Sequence, residues 1–205
     1  MPADLDVVIR VDLKRIRGTL GVPAMDALTD QAVKGMHGAD RATDELLLKA
    51  LAQTDTLYLG LRPTATLGAA DSVFVMMGHY PSFDPEQAKS VPPFAHAVDL
   101  GADLRRYDRP SPGVRSAPAR FYARGDDVVI ALSEAEIDSV ERTLEQGRGM
   151  PALEPLEKGA ISAVARPRVL PSSLFAGAHT LRDLAESARR LELDADLTSA
   201  GADAS

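Results

Sequence analysis

The sequence predicts an α+β protein: a largely antiparallel sheet with helices packed on one face. Three observations carry this. Short runs of alternating or β-branched residues recur along the whole chain. Helical stripes with start and stop residues stand between them. Two pairs of strand-like runs are joined by links short enough for hairpins.

The first strand is predicted at VVIRVDL, where Val7, Ile9, Val11 and Leu13 alternate with Val8, Arg10 and Asp12. Period two marks a half-buried strand. Asp12 is placed to cap a short basic helix, Leu13 to Arg17, by accepting its orphan N–H groups. Gly18 and Gly21 are expected to break that turn. Met25, Leu28, Ala32 and Met36 then recur at helical spacing, with Pro23 suited to the first turn and Gly38 as a stop. A second stripe, Leu46, Leu47, Ala50 and Leu51, is entered at Asp40 or Thr43.

DTLYLGLRP (55–63) and DSVFVMMGHY (71–80) read as two strands of a hairpin whose loop holds Gly68. In the second, Val73, Val75 and Met77 face one way, Phe74 and Met76 the other. Apolar residues on both faces imply an interior strand covered on two sides, or one face left for a partner. A short helix is expected near Asp84 and Pro85. Residues 91–118 are rich in Pro, Gly and Arg and read as an irregular excursion. ARFYARGDDVVIALS is a second hairpin turning at Gly125, Asp126 and Asp127.

Ser133-Glu134-Ala135-Glu136 matches a capping box, in which the Ser133 hydroxyl takes the Glu136 N–H and the Glu136 carboxylate reaches back. Ile137, Val140 and Leu144 continue as the buried stripe of the helix. Glu141, at the i+4 position, makes that stripe narrow and its edge wet, and Gly147 ends it. AISAVARPRVL is a further strand, ending near Pro167. Leu174, Ala178, Leu181, Leu184, Ala185 and Ala188 form the stripe of a last helix, leading into the strand LELDADL (191–197).

Residues 1–198 are thus expected to form a single compact α+β unit, with 199–205 as a frayed tail of small polar residues. Two possible halves, 1–108 and 117–198, each have roughly the β-α-β-β order of a ferredoxin-like unit, as a duplication would produce, though no sequence repeat accompanies them.

Composition excludes more than it assigns. The 205 residues are 45% apolar and 26% charged, ordinary for a globular chain, but only 4% aromatic and without Trp. The core is therefore expected to rest on Leu, Val, Ile, Ala and Met. A formal net charge of −7 disfavours nucleic acid as a partner. The main basic cluster, Arg10, Lys14, Arg15 and Arg17, reads as a solvated helix edge. With no Cys, thiol chemistry, disulfides and Cys-ligated zinc are excluded. No apolar run reaches the ~20 residues of a membrane helix. Met1 is followed at once by Pro2, Ala3, Asp4 and Leu5, so a secretory leader is not expected here. The chain is expected to be cytoplasmic, or periplasmic or of the cell envelope if a leader has been removed.

Candidate chemistry is sparse. Glu192, Asp194 and Asp196 share one strand face, but alternate side chains on a strand stand ~6.5–7 Å apart and cannot wrap one ion. They are expected to be the solvated side of an apolar-in, charged-out strand, blunting an exposed edge. His37, His79, His96 and His179 have no zincin spacing. His179, near an apolar stripe, is the one placed to ligate a haem or metal in principle, yet no metal site and no cofactor is expected. Neither G-x-S-x-G nor a phosphate loop occurs. Arg124-Gly125-Asp126 is read as a turn, not an adhesion tripeptide. Asp99, Asp103 and Asp108 are the candidates for paired hydrolytic carboxylates.

Taken in order, PADLDVVIRVDLKRIRGTLG, LYLGLRP, VFVMMGHY, PSFDPEQA, ARFYARGDDVVIALSEAEI, LRDLAE and LELDADL resemble a class of uncharacterised bacterial envelope proteins and lipoproteins of myxobacterial type. The resemblance implies a ferredoxin-like α+β domain, with a lipid anchor in the full-length form, and brings no catalytic residues.

The expected function is a non-catalytic binding or scaffold module of the envelope, acting through contacts with a protein partner or a second copy. Its candidate contact residues are Val73, Val75 and Met77 on one strand and Arg109, Arg115 and Arg120 in the loop Tyr107 to Arg120. The alternative is a carrier of a small apolar ligand such as a lipid or haem-like group, lined by Met25, Met36, Met76 and Met77. A hydrolase with a site assembled from distant residues comes third.

Overall fold

The computed structural model describes residues 1–21, 41–63, 70–87, 94–110, 118–147, 149, 157–166, 190–198 and 201–204. Among the described residues ten strands form one sheet: β1 Val7–Asp12, β2 Thr54–Pro63, β3 Ala70–Gly78, β4 Val98–Asp99, β5 Leu104–Asp108, β6 Arg120–Arg124, β7 Val128–Leu132, β8 Ile161–Ala165, β9 Leu191–Thr198 and β10 Gly201–Ala204. Their order is β10-β9-β8-β1-β2-β3-β7-β6-β5-β4. Every neighbouring pair is antiparallel. The described helices are α1 Leu13–Leu20, α2 Arg41–Ala52 and α3 Ile137–Gln146, with single 3₁₀ turns at Pro85–Gln87 and Glu134–Glu136.

The α+β class and the antiparallel sheet are as the sequence predicts, and so are both hairpins. The finer ferredoxin-like expectation finds no support in the strand order. A split β-α-β needs another strand between the two joined by the helix, whereas β1 and β2 are adjacent and antiparallel. The halves 1–108 and 117–198 are interleaved, since β6 and β7 lie between β3 and β5. The helix stripes at Met25–Met36 and Leu174–Ala188 lie outside the described residues.

Asp12 caps α1 as expected, accepting from the Arg15 N–H at 2.8 Å. Gly18 does not end this helix; it lies inside it. The chain leaves at Gly21, whose φ of 79° is open to glycine at no steric cost.

Helices cover both faces of the sheet, not one. Paired residues on adjacent strands share a face, so the registers define a front face through Leu57, Phe74, Met76, Phe121, Val129 and Ala131 and a back face through Tyr58, Val73, Tyr122 and Leu132. On the front, α2 buries Leu46, Leu47 and Ala50 against Met76, Phe121 and Ala131. On the back, Val140 of α3 packs on Val73, Tyr122 and Leu132. The reason is legible in β3 itself: strands apolar on both sides need two covers.

The scarce aromatics are the centre of the core rather than a minor part of it. Six of the eight in the described residues are buried: Tyr80, Phe83, Phe94, Tyr107, Phe121 and Tyr122. Phe121 meets Phe94 edge-on at 4.9 Å between ring centroids and Phe83 at 5.6 Å. Few rings suffice when five of these six gather in one cluster, because each buries a large area.

The capping box at Ser133 does not form. Ser133 makes no side-chain cap; its Oγ instead accepts the Ser72 N–H at 3.0 Å, stitching the end of β7 to β3. Glu136, only 1% exposed, takes Arg62 Nε on Oε1 at 2.8 Å. A long-range ion pair has replaced the local reciprocal bond, because the strand next door offers stronger partners than the helix start.

The strand LELDADL forms as β9, but its two sides are not apolar-in and charged-out. Leu193 is 49% exposed. Asp194 accepts from Ser162 Oγ at 2.5 Å. Asp196 accepts the Ala160 N–H at 3.1 Å and pairs with Arg15 at 2.9 Å. Glu192 pairs with Arg190. Nor is β9 an edge, since β8 and β10 flank it. Within the tail segment, Gly201–Ala204 is β10, paired with β9. A ladder needs only backbone N–H and C=O groups, so small side chains do not prevent pairing.

Candidate functional site

The arrangement of greatest chemical interest lies on the back face, where the sheet runs out from under α3. The apolar stripe of α3 is seated over β3, β6 and β7 by Val140, with Ile137 and Leu144 flanking it. Beyond β6 the sheet continues as β5 and β4. A cleft of about 480 Å³ remains between those strands and the helix. Leu104, Arg106 and Tyr122 line it from the sheet and Leu100 from the turn after β4. Glu141, Leu144 and Glu145 line it from α3. Leu100, at the cleft mouth, is 44% exposed.

One side of the cleft is a closed ionic square. Arg120 bonds Asp108 through Nε and Glu141 through Nη1, the latter at 2.6 Å. Arg106 bonds Asp108 at 2.9 Å and approaches the same Glu141 oxygen at 3.6 Å. The Tyr122 hydroxyl donates to that oxygen too, at 3.3 Å, and accepts from Arg120 at 3.2 Å. Burial works against the Arg120 charge, but Tyr122 and Asp108 more than offset it and hold the guanidinium firmly protonated. Burial pushes the Tyr122 phenol above its ordinary value, with Arg120 opposing. Two cations and two carboxylates therefore cancel, and the phenol stays neutral. This is a rigid, preorganised polar wall.

A second cleft, about 430 Å³, sits at the tip of β4–β5 and the β6–β7 turn, lined by Asp99, Asp103, Asp126 and Arg105 among others. Its acids shape turns. Asp99 Oδ1 accepts the Gly101 N–H at 2.8 Å, and the Asp103 carbonyl accepts the Gly125 N–H at 3.0 Å. No group of three or more potential metal ligands gathers among the described residues.

The residues singled out from sequence scatter. Asp99 and Asp103 line the tip cleft, while Asp108 belongs to the ionic square on the opposite face, so the three do not converge. Val73 is buried under α3, Val75 is half-buried, and Met77 is 45% exposed. Arg109 donates to Thr43 Oγ1 at 2.6 Å and stands over the Phe94 ring, holding α2 to the front face. Arg120 is inside the square, not on a free surface, and Arg115 lies outside the described residues. Met76 is fully buried, and the register puts Met77 on the other face, so these two cannot line one pocket. Met25, Met36, His37 and His179 fall outside the described residues. Arg10, Arg15 and Arg17 are paired with Asp12, Asp196 and Asp55. The tripeptide Arg124-Gly125-Asp126 is a hairpin turn, Gly125 having φ 50°.

Sequence reasoning missed Tyr122, Glu141, Leu100 and Leu104 as neighbours. The one available signal was Glu141, a charge where the α3 stripe should be apolar.

His96 makes a local device near β4. Its Nδ1 lies 2.6 Å from Glu86 Oε2, and Glu86 Oε1 accepts the Ala97 N–H at 2.6 Å. The Glu86 hydrogen bond and charge raise the His96 pKa, and the His96 and Ala97 bonds lower that of Glu86. Histidine titration should therefore run above the ordinary value of about 6.5. The His96 contribution is complete below that value and is lost as pH rises through the raised one. The Glu86 contribution is complete above the ordinary carboxylate range and is lost as pH falls through the lowered one. An NMR titration of the His96 ring should show the upward shift and Glu86→Gln should remove it; equal midpoints in both proteins would refute the pairing.

No family model matches the chain, and no curated protein does. Among solved structures the chain is similar to crystal form III of TP0453, with a TM-score of 0.52 and 10% identity over 95% of this chain and 71% of that one. At that identity the likeness concerns the fold alone.

Proposed function

We propose that this chain is a non-catalytic binding module whose working surface is the cleft between α3 and the β4–β5 edge. The observation that carries the reading is the cancelled ionic square beside the exposed Leu100 and the half-buried Leu104 and Leu144. A general acid or base needs a proton it can give or take near the working pH. Here each carboxylate of the square already faces both arginines, and Leu100, Leu104 and Leu144 supply apolar contact area. Cleft volume is within the range of small-ligand sites, about 300–1,000 Å³.

The experiment is a methyl-NMR screen of small amphiphiles. Shifts concentrated at Leu100, Leu104 and Leu144 support the reading. Saturable turnover of a substrate, abolished by Glu141→Gln with the fold intact, overturns it.

A scaffold role through protein contacts is the second reading. It is favoured by Met77, 45% exposed, beside half-buried Tyr58, Val75, Val128 and Ile130 on the back face. An envelope location and a lipid anchor belong to this second reading and rest on the sequence resemblance. No described helix is long and apolar enough to cross a membrane.

A further inference from the structure

The charges of the described residues that line the cleft do not sum to zero. Arg106 and Arg120 are answered by Asp108 and Glu141. Glu145, one helical turn beyond Glu141, also lines the cleft, is exposed, and forms no ion pair among the described residues. Arg124 is on the same sheet face but does not line the cleft. Among the described residues that line the cleft, Arg106 therefore stands against Glu141 and Glu145, a remainder of one negative charge.

Glu145 is also badly placed for its own helix. It sits in the last turn of α3, where the peptide dipoles leave partial negative charge and unsatisfied carbonyls. That turn has no basic residue, and Gly147 follows in the left-handed conformation. A cation there relieves a carboxylate and a helix end together. Beside Glu145 in the wall is Leu144, with Leu104 and the exposed Leu100 across the gap.

Resting on the proposed binding role, we infer that the cleft takes a small ligand with an ammonium group on an aliphatic chain, the cation at Glu145 and the chain against Leu100, Leu104 and Leu144. The polar wall of Tyr122 and Glu141 is spent on its own pairs, so discrimination falls to the mouth. The complementarity is one of sign and shape: one net carboxylate, three leucines, a cleft of about 480 Å³.

Octylammonium, octyl glucoside and octyl sulfate share a tail and differ in head charge. Each is titrated as monomer into the whole chain, with leucine methyl shifts giving site and affinity. Octylammonium should bind at least about tenfold more tightly than octyl sulfate and move all three leucines. Glu145→Gln should weaken octylammonium about fivefold or more and leave octyl glucoside unchanged. Leu100→Ser should weaken both ammonium and glucoside probes. Arg148→Ala, chosen because this base follows Gly147 in sequence, should leave the ammonium preference unchanged or larger. Equal binding of the three heads, or an unaltered octylammonium affinity in Glu145→Gln, overturns the ammonium assignment while leaving the binding role standing. Failure of all three probes to move the leucines overturns both. Unchanged backbone amide spectra establish that each variant is folded.

Discussion

Phe121→Ala is expected to destabilise the protein by about 4 kcal/mol, the middle of the range for removing a buried aromatic ring. Phe121 is fully buried, and its ring is the common partner of Phe83 and Phe94. Truncation therefore loses the transfer free energy of the ring and two edge-to-face contacts, and leaves a void between α2 and the front face. Neighbouring strands cannot close it, because β6 is held by β5 and β7 on both sides. In a chain of this size each kcal/mol shifts the midpoint by roughly 2–4 °C, so the melting temperature should fall by about 10 °C. Phe121→Leu, which keeps part of the volume, should lose markedly less. A loss under about 1.5 kcal/mol in denaturant titration, with unchanged m-value, would show that this cluster is not the core's centre.

Arg62→Met should cost about 3 kcal/mol, the lower end for removing one partner of a buried ion pair. The lower end applies because the Arg62 side chain is 34% exposed and water reaches it, while Glu136 is 1% exposed. What the substitution leaves is a carboxylate held out of water without its guanidinium. Arg62 also donates to the Asp4 carbonyl at 3.1 Å and faces the Asp4 carboxylate at 3.3 Å, so it ties the N-terminal segment to the helix start. The double variant Arg62→Met, Glu136→Leu should recover most of the loss, since the desolvated charge is gone; the Asp4 contacts account for what is not recovered. Equal stability of the single and double variants would mean that Glu136 is not stranded by loss of Arg62.

This pair shows where local reading stopped. Ser133 and Glu136 have the spacing of a capping box, and nothing within ten residues argues otherwise. The competitor, Arg62, is 74 positions away and arrives only because β2 lies beside β3 in the sheet. The same holds for the cleft. Leu100, Leu104, Tyr122 and Glu141 come from a turn, two strands and a helix, and no periodicity links them. The acidic row of β9 is legible in the sequence as a row, but its environment is not, since Ser162, Arg15 and the Ala160 N–H are brought to it by β8 and α1.

What the sequence determined by itself was local: most described strands, the Asp12 cap, the hairpin at Gly125, and the two-sided apolarity of β3. These depend on side-chain period and backbone preference, both set within a few residues. Tertiary structure alone decided which face each helix covers, which carboxylate meets which arginine, and that a cleft opens beside α3. Burial and ion pairing depend on distance in space, and strands far apart in the chain become neighbours only once the sheet has assembled.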